Sequence, residues 1–172
     1  VVDSGGRLHA SSNVNVPNGS LTLGTGGGPV FSIGGRLDVN RDVVAPSGSV
    51  LFVAGPIVIQ HDLLLSTAMT VRAGITAGNV TVRSGGLLHL TTRVDVTNDM
   101  TIESGGTVRH NVTSTASSTV RLFVNRTLTV DTGGAVDADQ RSSYTTGDYY
   151  GGRSYGIGGA GWPSHGGYAY MD

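Results

Sequence analysis

The side chains able to do chemistry are few and scattered. Five histidines, His9, His61, His89, His110 and His165, show neither a His-x-His nor a His-Glu-x-x-His spacing. No pair is therefore set at the interval that brings two imidazoles to one metal ion, and exposed positions are expected for all five. The absence of Cys removes thiolate metal sites and any disulfide framework, and leaves the redox compartment open. Among the aspartates Asp38, Asp42, Asp62, Asp95 and Asp99, three (Asp42, Asp62 and Asp99) occupy one position of an internal repeat. Carboxylates stacked in this way could share acid/base work. Asn79 and Thr127 fill the same position in other copies, however, and a position that takes Asp, Asn or Thr needs only a side-chain acceptor at a turn. No catalytic residue, metal ligand or cofactor is assigned.

Two further groups are candidates for contact rather than catalysis. Four Asn-x-Ser/Thr sequons, at Asn18, Asn79, Asn111 and Asn125, are candidate glycosylation sites. Chance gives roughly two in a chain so rich in Ser and Thr, so the excess is slight, and Asn beside Thr is also ordinary turn chemistry. All six Tyr (Tyr144, Tyr149, Tyr150, Tyr155, Tyr168 and Tyr170) and the one Trp (Trp162) lie in the last thirty or so residues, among many glycines. They form a candidate aromatic contact surface.

The elements that must position these groups come from a repeat centred on Val94–Val108. Its core, Met100-Thr101-Ile102-Glu103-Ser104-Gly105-Gly106, returns at Leu21–Gly27, Val80–Gly86 and Leu128–Gly134. Degraded copies start at Val43 and Leu63, so successive units step by 22, 20, 17, 20 and 28 residues. Strict alternation predicts short strands with one buried face. Leu21, Leu23, Val43, Ala45, Leu63, Leu65, Val80, Val82, Met100, Ile102, Leu128 and Val130 should point inward. Thr22, Val44, Leu64, Thr81, Thr101 and Thr129 should point outward. Identical units in identical register favour a coil in which each strand stacks in parallel on its own copy, rather than a meander of hairpins.

Composition agrees. The chain has 28 Gly, no Lys and a single Glu, Glu103, a mixture that disfavours helices and favours strands and turns. A net charge of -1 with 13% charged residues gives no field for steering nucleic acid, and no apolar run approaches the ~20 residues of a membrane span. The 28-residue step contains a polar excess, His110–Ser118, expected to bulge from one corner. Arg7–Val16 should belong to an incomplete opening turn. The outward Thr at 22, 81, 101 and 129 are interrupted by Val44 and Leu64, a poor match to a flat ice-binding ladder. Gly133-Gly134-Ala135-Val136-Asp137 is a lone partial match to a calcium-binding nonapeptide repeat.

The Val-x-x-Asp-apolar-Thr-apolar-x-Ser-Gly-Gly unit resembles the degenerate repeats of right-handed parallel β-helix proteins, as in filamentous-haemagglutinin-like adhesins, autotransporter passengers and other giant secreted surface proteins. The tail Gly158–Tyr168 is similar, more loosely, to Gly-rich segments that interrupt such helices. The resemblance implies an all-β, right-handed parallel β-helix of about six to seven coils over residues 1–139, and a Gly/Tyr-rich irregular cover over residues 140–172. It implies an extracellular or cell-surface structural role, as a building block of a filament or stalk, and no enzymatic one. The alternatives are a carbohydrate-binding adhesin and a pectin-lyase-like polysaccharide-processing enzyme. Expected partners are further copies of the chain, flanking modules of a longer chain, of which Val1–Asp172 reads as a piece, and glycans; nucleic acid and membrane insertion are not expected.

Overall fold

The computed structural model describes residues 5–25, 30–110 and 121–137. It is all-β. In chain order the strands are β1 (Arg7–Ala10), β2 (Val14–Val16), β3 (Leu21–Thr22), β4 (Val30–Ile33), β5 (Leu37–Val39), β6 (Val43–Ala45), β7 (Val50–Val53), β8 (Ile57–Leu65) and β9 (Ala68–Val71). They continue with β10 (Ile75–Val82), β11 (Leu87–Leu90), β12 (Arg93–Val96), β13 (Met100–Ile102), β14 (Thr107–His110), β15 (Arg121–Val124), β16 (Leu128–Val130) and β17 (Ala135–Asp137). Every pairing is parallel, which makes the chain a β-solenoid. Each coil crosses a seven-stranded sheet once (β1, β4, β7, β9, β11, β14, β17) and then runs along a ten-stranded sheet made of the remaining strands.

The repeat units are the rungs. Leu21 pairs with Val43, Val43 with Leu63, Leu63 with Val80, Val80 with Met100 and Met100 with Leu128, the register read from the sequence. The inward residues from Leu21 to Ile102 are buried, none more than 6% exposed, and the Thr, Val and Leu between them are half-buried on the outer face. Leu128 and Val130 differ. They hold the inward register but are 46% and 45% exposed, because no described rung stacks on them. The seven-stranded sheet supplies a second inward column, Phe31, Leu51, Met69, Leu88 and Val108, which closes the core opposite the repeat column. The opening turn, expected over Arg7–Val16, contains β1 and β2, and its Leu8 is 40% exposed.

Unequal steps are absorbed at corners and at one irregularity inside β10. In the 17-residue step, Met69 follows Leu65 by four positions where Leu51 follows Ala45 by six, and Val80 follows Ala77 by three where Leu63 follows Ile59 by four. That second deletion falls at Gly78, where the ladder shifts register. In the 28-residue step Leu122 follows Val108 by fourteen positions where Val94 follows Leu88 by six, so the extra length falls between β14, which ends at His110, and β15. Residues 111–120 themselves lie outside the described residues.

The Gly-Gly pair has two separate causes. Glu103–Gly106 is a β-turn closed by the Gly106 N–H donating to the Glu103 carbonyl at 2.8 Å, and its third residue, Gly105, has φ +77°, a conformation that costs a side-chain-bearing residue about 1–2 kcal/mol. Gly106 is needed for space, since a Cβ there would fall on the carbonyl oxygen of Val82 in the preceding coil. Where the pair is Gly48-Ser49, the buried Ser49 hydroxyl donates to the Pro46 carbonyl at 2.7 Å.

Ile102→Asp should lose about 4 kcal/mol of stability, as an unpaired carboxylate enters the core, while Thr101→Asp should change it by less than about 1 kcal/mol. Equal melting temperatures for the two variants would remove the assigned register. Gly106→Ala should destabilise more than Gly105→Ala, because backbone must move in the first case and only one residue's φ is strained in the second; chemical denaturation of the pair checks the order.

Candidate functional site

The aspartate position is a polar ladder running along one corner of the solenoid. The Asp42 N–H donates to Ser20 Oγ at 3.2 Å, the Asp62 N–H to Asp42 Oδ1 at 3.3 Å, the Asp99 N–H to Asn79 Oδ1 at 3.2 Å and the Thr127 N–H to Asp99 Oδ1 at 3.1 Å. Between them, Asn79 Nδ2 donates to Asp62 Oδ1 at 2.8 Å. The acceptor role read from sequence is present, and the donor comes from the next coil rather than from the residue's own turn. Here the chain bends between two stretches of the ten-stranded sheet, and the side chains take up backbone N–H groups that the bend leaves half-buried. Asp42, Asp62 and Asp99 are thus already engaged by donors of their own fold.

A second cluster lies on the outer face of β12 and β15. Asp95 pairs in register with Phe123, and Arg93 reaches over to both. Its Nη2 lies 2.6 Å from Asp95 Oδ1 and its Cζ lies 4.1 Å from the centre of the Phe123 ring. The hydrogen bond to Asp95 raises the pKa of this solvent-exposed guanidinium above its ordinary value. Phe123 is 51% exposed. With Thr97 and Asn125, these three side chains border an open depression of about 530 Å³ that is also lined by the inward-register residues Val96, Leu122 and Val124. One aromatic face, a carboxylate, an amide and a guanidinium converge there, a set that can stack on an apolar ring face and hydrogen-bond to hydroxyls.

Comparison with protein-family models, with curated proteins and with solved structures gives no match.

Among the remaining sequence candidates, His9 and His61 are exposed and His89 is half-buried. Among the described residues no three His, Asp or Glu converge in a way that could hold a metal ion. Asn18 and Asn125 are exposed, whereas Asn79 is half-buried within the ladder. Asn111 and the aromatic candidates Tyr144, Tyr149, Tyr150, Tyr155, Trp162, Tyr168 and Tyr170 lie outside the described residues, as does His165. The Arg93–Phe123 cluster was not anticipated. Its one signal in the sequence is an aromatic in an outward slot that earlier coils fill with Asn15, Asp38, Val58, Thr76 and Asp95.

Asn79→Asp tests the ladder. The substitution replaces the donor facing Asp62 with a carboxylate that joins Asp42, Asp62 and Asp99 into a run of four, so stability should fall by about 1–2 kcal/mol at neutral pH. The introduced carboxyl would be more basic in the folded chain than in the unfolded one, so the deficit should shrink as pH falls and protonation restores a donor. Urea titrations of both proteins at pH 7 and pH 4 measure the difference, and a deficit independent of pH would contradict the stacked geometry.

Proposed function

We propose that this chain is a structural segment of a secreted or cell-surface protein, a building block of an extracellular filament, stalk or appendage. The observation that carries the reading is the state of the two ends. Inward-facing Leu8 at one end and Leu128, Val130 and Val136 at the other are each at least 40% exposed, and among the described residues no further strand pairs with the outer edges of the strands that carry them. Open edges of this kind are covered in natural proteins by more chain or by another subunit. A repeated segment whose described end rungs are open suits a long extracellular assembly, and the likeness of the repeat to those of giant secreted adhesins supports the same reading.

A carbohydrate-binding adhesin is the second reading, favoured by the exposed Phe123 ring beside Arg93, Asp95 and Asn125. The polysaccharide-processing alternative has less support, since the three stacked aspartates already accept hydrogen bonds from neighbouring coils.

Antibodies raised against the folded chain and applied to intact, unpermeabilised source cells should decorate surface appendages or matrix in immunogold images. Labelling that appears only after permeabilisation would overturn the proposal.

A further inference from the structure

Phe123, Asn125 and Thr127 set an aromatic ring, an acceptor amide and a hydroxyl at alternate positions, Phe-x-Asn-x-Thr. Among the four sequons this one alone has an aromatic two positions before its Asn; Val16, Ala77 and Arg109 stand there before Asn18, Asn79 and Asn111. Val16 packs against the core and Ala77 lies within it, whereas Phe123 points outward and is 51% exposed. The Asn79 amide is also committed to the polar ladder, donating to Asp62 and accepting from the Asp99 N–H. In the first sequon the Ser20 hydroxyl donates to Asp42 at 3.1 Å. Asn125 and Thr127 are exposed.

The ladder runs on from β15 to Asn125, whose N–H donates to the Val96 carbonyl at 2.9 Å. Residues two apart on an extended chain project from one face, about 6.6 Å from each other. Phe123 and Asn125 thus border the same depression, with Asp95 and Thr97 on the preceding coil. Arg93 covers one face of the ring and is charge-matched by Asp95 at 2.6 Å. The depression therefore offers a ring, an amide and a hydroxyl without an uncompensated charge, which suits a neutral sugar. A free sugar would be held from solution by a single ring, but one attached to Asn125 is present at an effective concentration of about a millimolar or more. The tethered sugar wins that competition.

We propose that Asn125 carries an N-linked glycan whose first sugar, an N-acetylhexosamine, packs on Phe123. In the transfer, Asn125 Nδ2 bonds to the anomeric carbon of a polyprenyl-diphosphate-linked oligosaccharide, the bond from that carbon to the diphosphate oxygen breaks, and one amide proton is released. Such a donor is met by chains entering a secretory pathway, so the assignment rests on the secreted reading above. It gives a purpose to an aromatic in an outward slot that earlier coils fill with Asn15, Asp38, Val58, Thr76 and Asp95.

The full chain, secreted from cultured animal cells behind a cleavable signal, tests it. Mass spectrometry after amidase release in heavy-oxygen water should find Asn125 converted to labelled Asp in most molecules. Trimming with an endoglycosidase that leaves the first sugar should keep the Tm, whereas Thr127→Ala, which removes the sequon and retains the backbone N–H at that position, should lower it by about 2–4 °C. In a Phe123→Thr background, proteins with and without the sugar should melt within about 1 °C of each other, and Phe123→Tyr should restore the difference; should Phe123→Thr not be secreted, Phe123→Val is read in the same way. A bare Asn125 in the secreted chain would overturn the proposal, and so would an equal effect of the sugar with and without the ring. Location fails separately: source cells labelled only after permeabilisation would remove the secreted reading, while the coupling of sugar and ring in the secreted chain would stand.

Discussion

The parallel backbone ladder between coils is the constraint from which the rest follows. In a solenoid every residue of a strand sits beside its counterpart one coil away, so the inner columns, the corners and the outer face must all repeat at the same spacing. A slip of one residue would turn a whole rung inside out. Buried Val80 and Met100, with half-buried Thr81 and Thr101 beside them, show that tolerance in action. Chain length between rungs is under no such restriction, and steps of 17 to 28 residues coexist because the differences fall at corners and at the bend around Gly78 within β10.

The corners meet the constraint in two ways. Where a Gly-Gly pair is present, one glycine takes a backbone angle open to few other residues and its neighbour clears the carbonyl of the preceding coil. Where the corner is shortened, at Ser66-Thr67, the Thr67 hydroxyl donates to the Ser49 carbonyl of the coil before, at 2.7 Å. Ion pairs such as Arg83–Glu103 and Arg109–Asp137 follow the same register, at 4.0 and 3.0 Å, and the first, with both side chains exposed, contributes little to stability.

The repeat column was legible because its apolar-Thr-apolar pattern carries a Ser/Thr-Gly-Gly tag that survives in four of the six copies. The opposite column was not. Phe31, Leu51, Met69, Leu88 and Val108 are apolar but differ in shape, and no fixed tag marks them, since a wide core position accepts several volumes. At the polar corner, sequence gave the need for an acceptor without the donor, because Asp or Asn can serve its own turn or the next coil equally well and only the stacking decides. The Arg93–Phe123 contact was hidden by the 28-residue step, which separates in sequence two strands that are adjacent in space.

The polar ladder has one more property. Each of its backbone donors belongs to the later coil and each acceptor to the earlier one, from Asp42 on Ser20 to Thr127 on Asp99. This wall of the molecule is therefore vectorial, with peptide N–H dipoles all aimed toward the amino-terminal end. Two such walls continue one another's pattern only when both point the same way, since an inverted neighbour at the carboxyl-terminal end would set the Thr127 hydroxyl against another Thr127 hydroxyl instead of a backbone N–H.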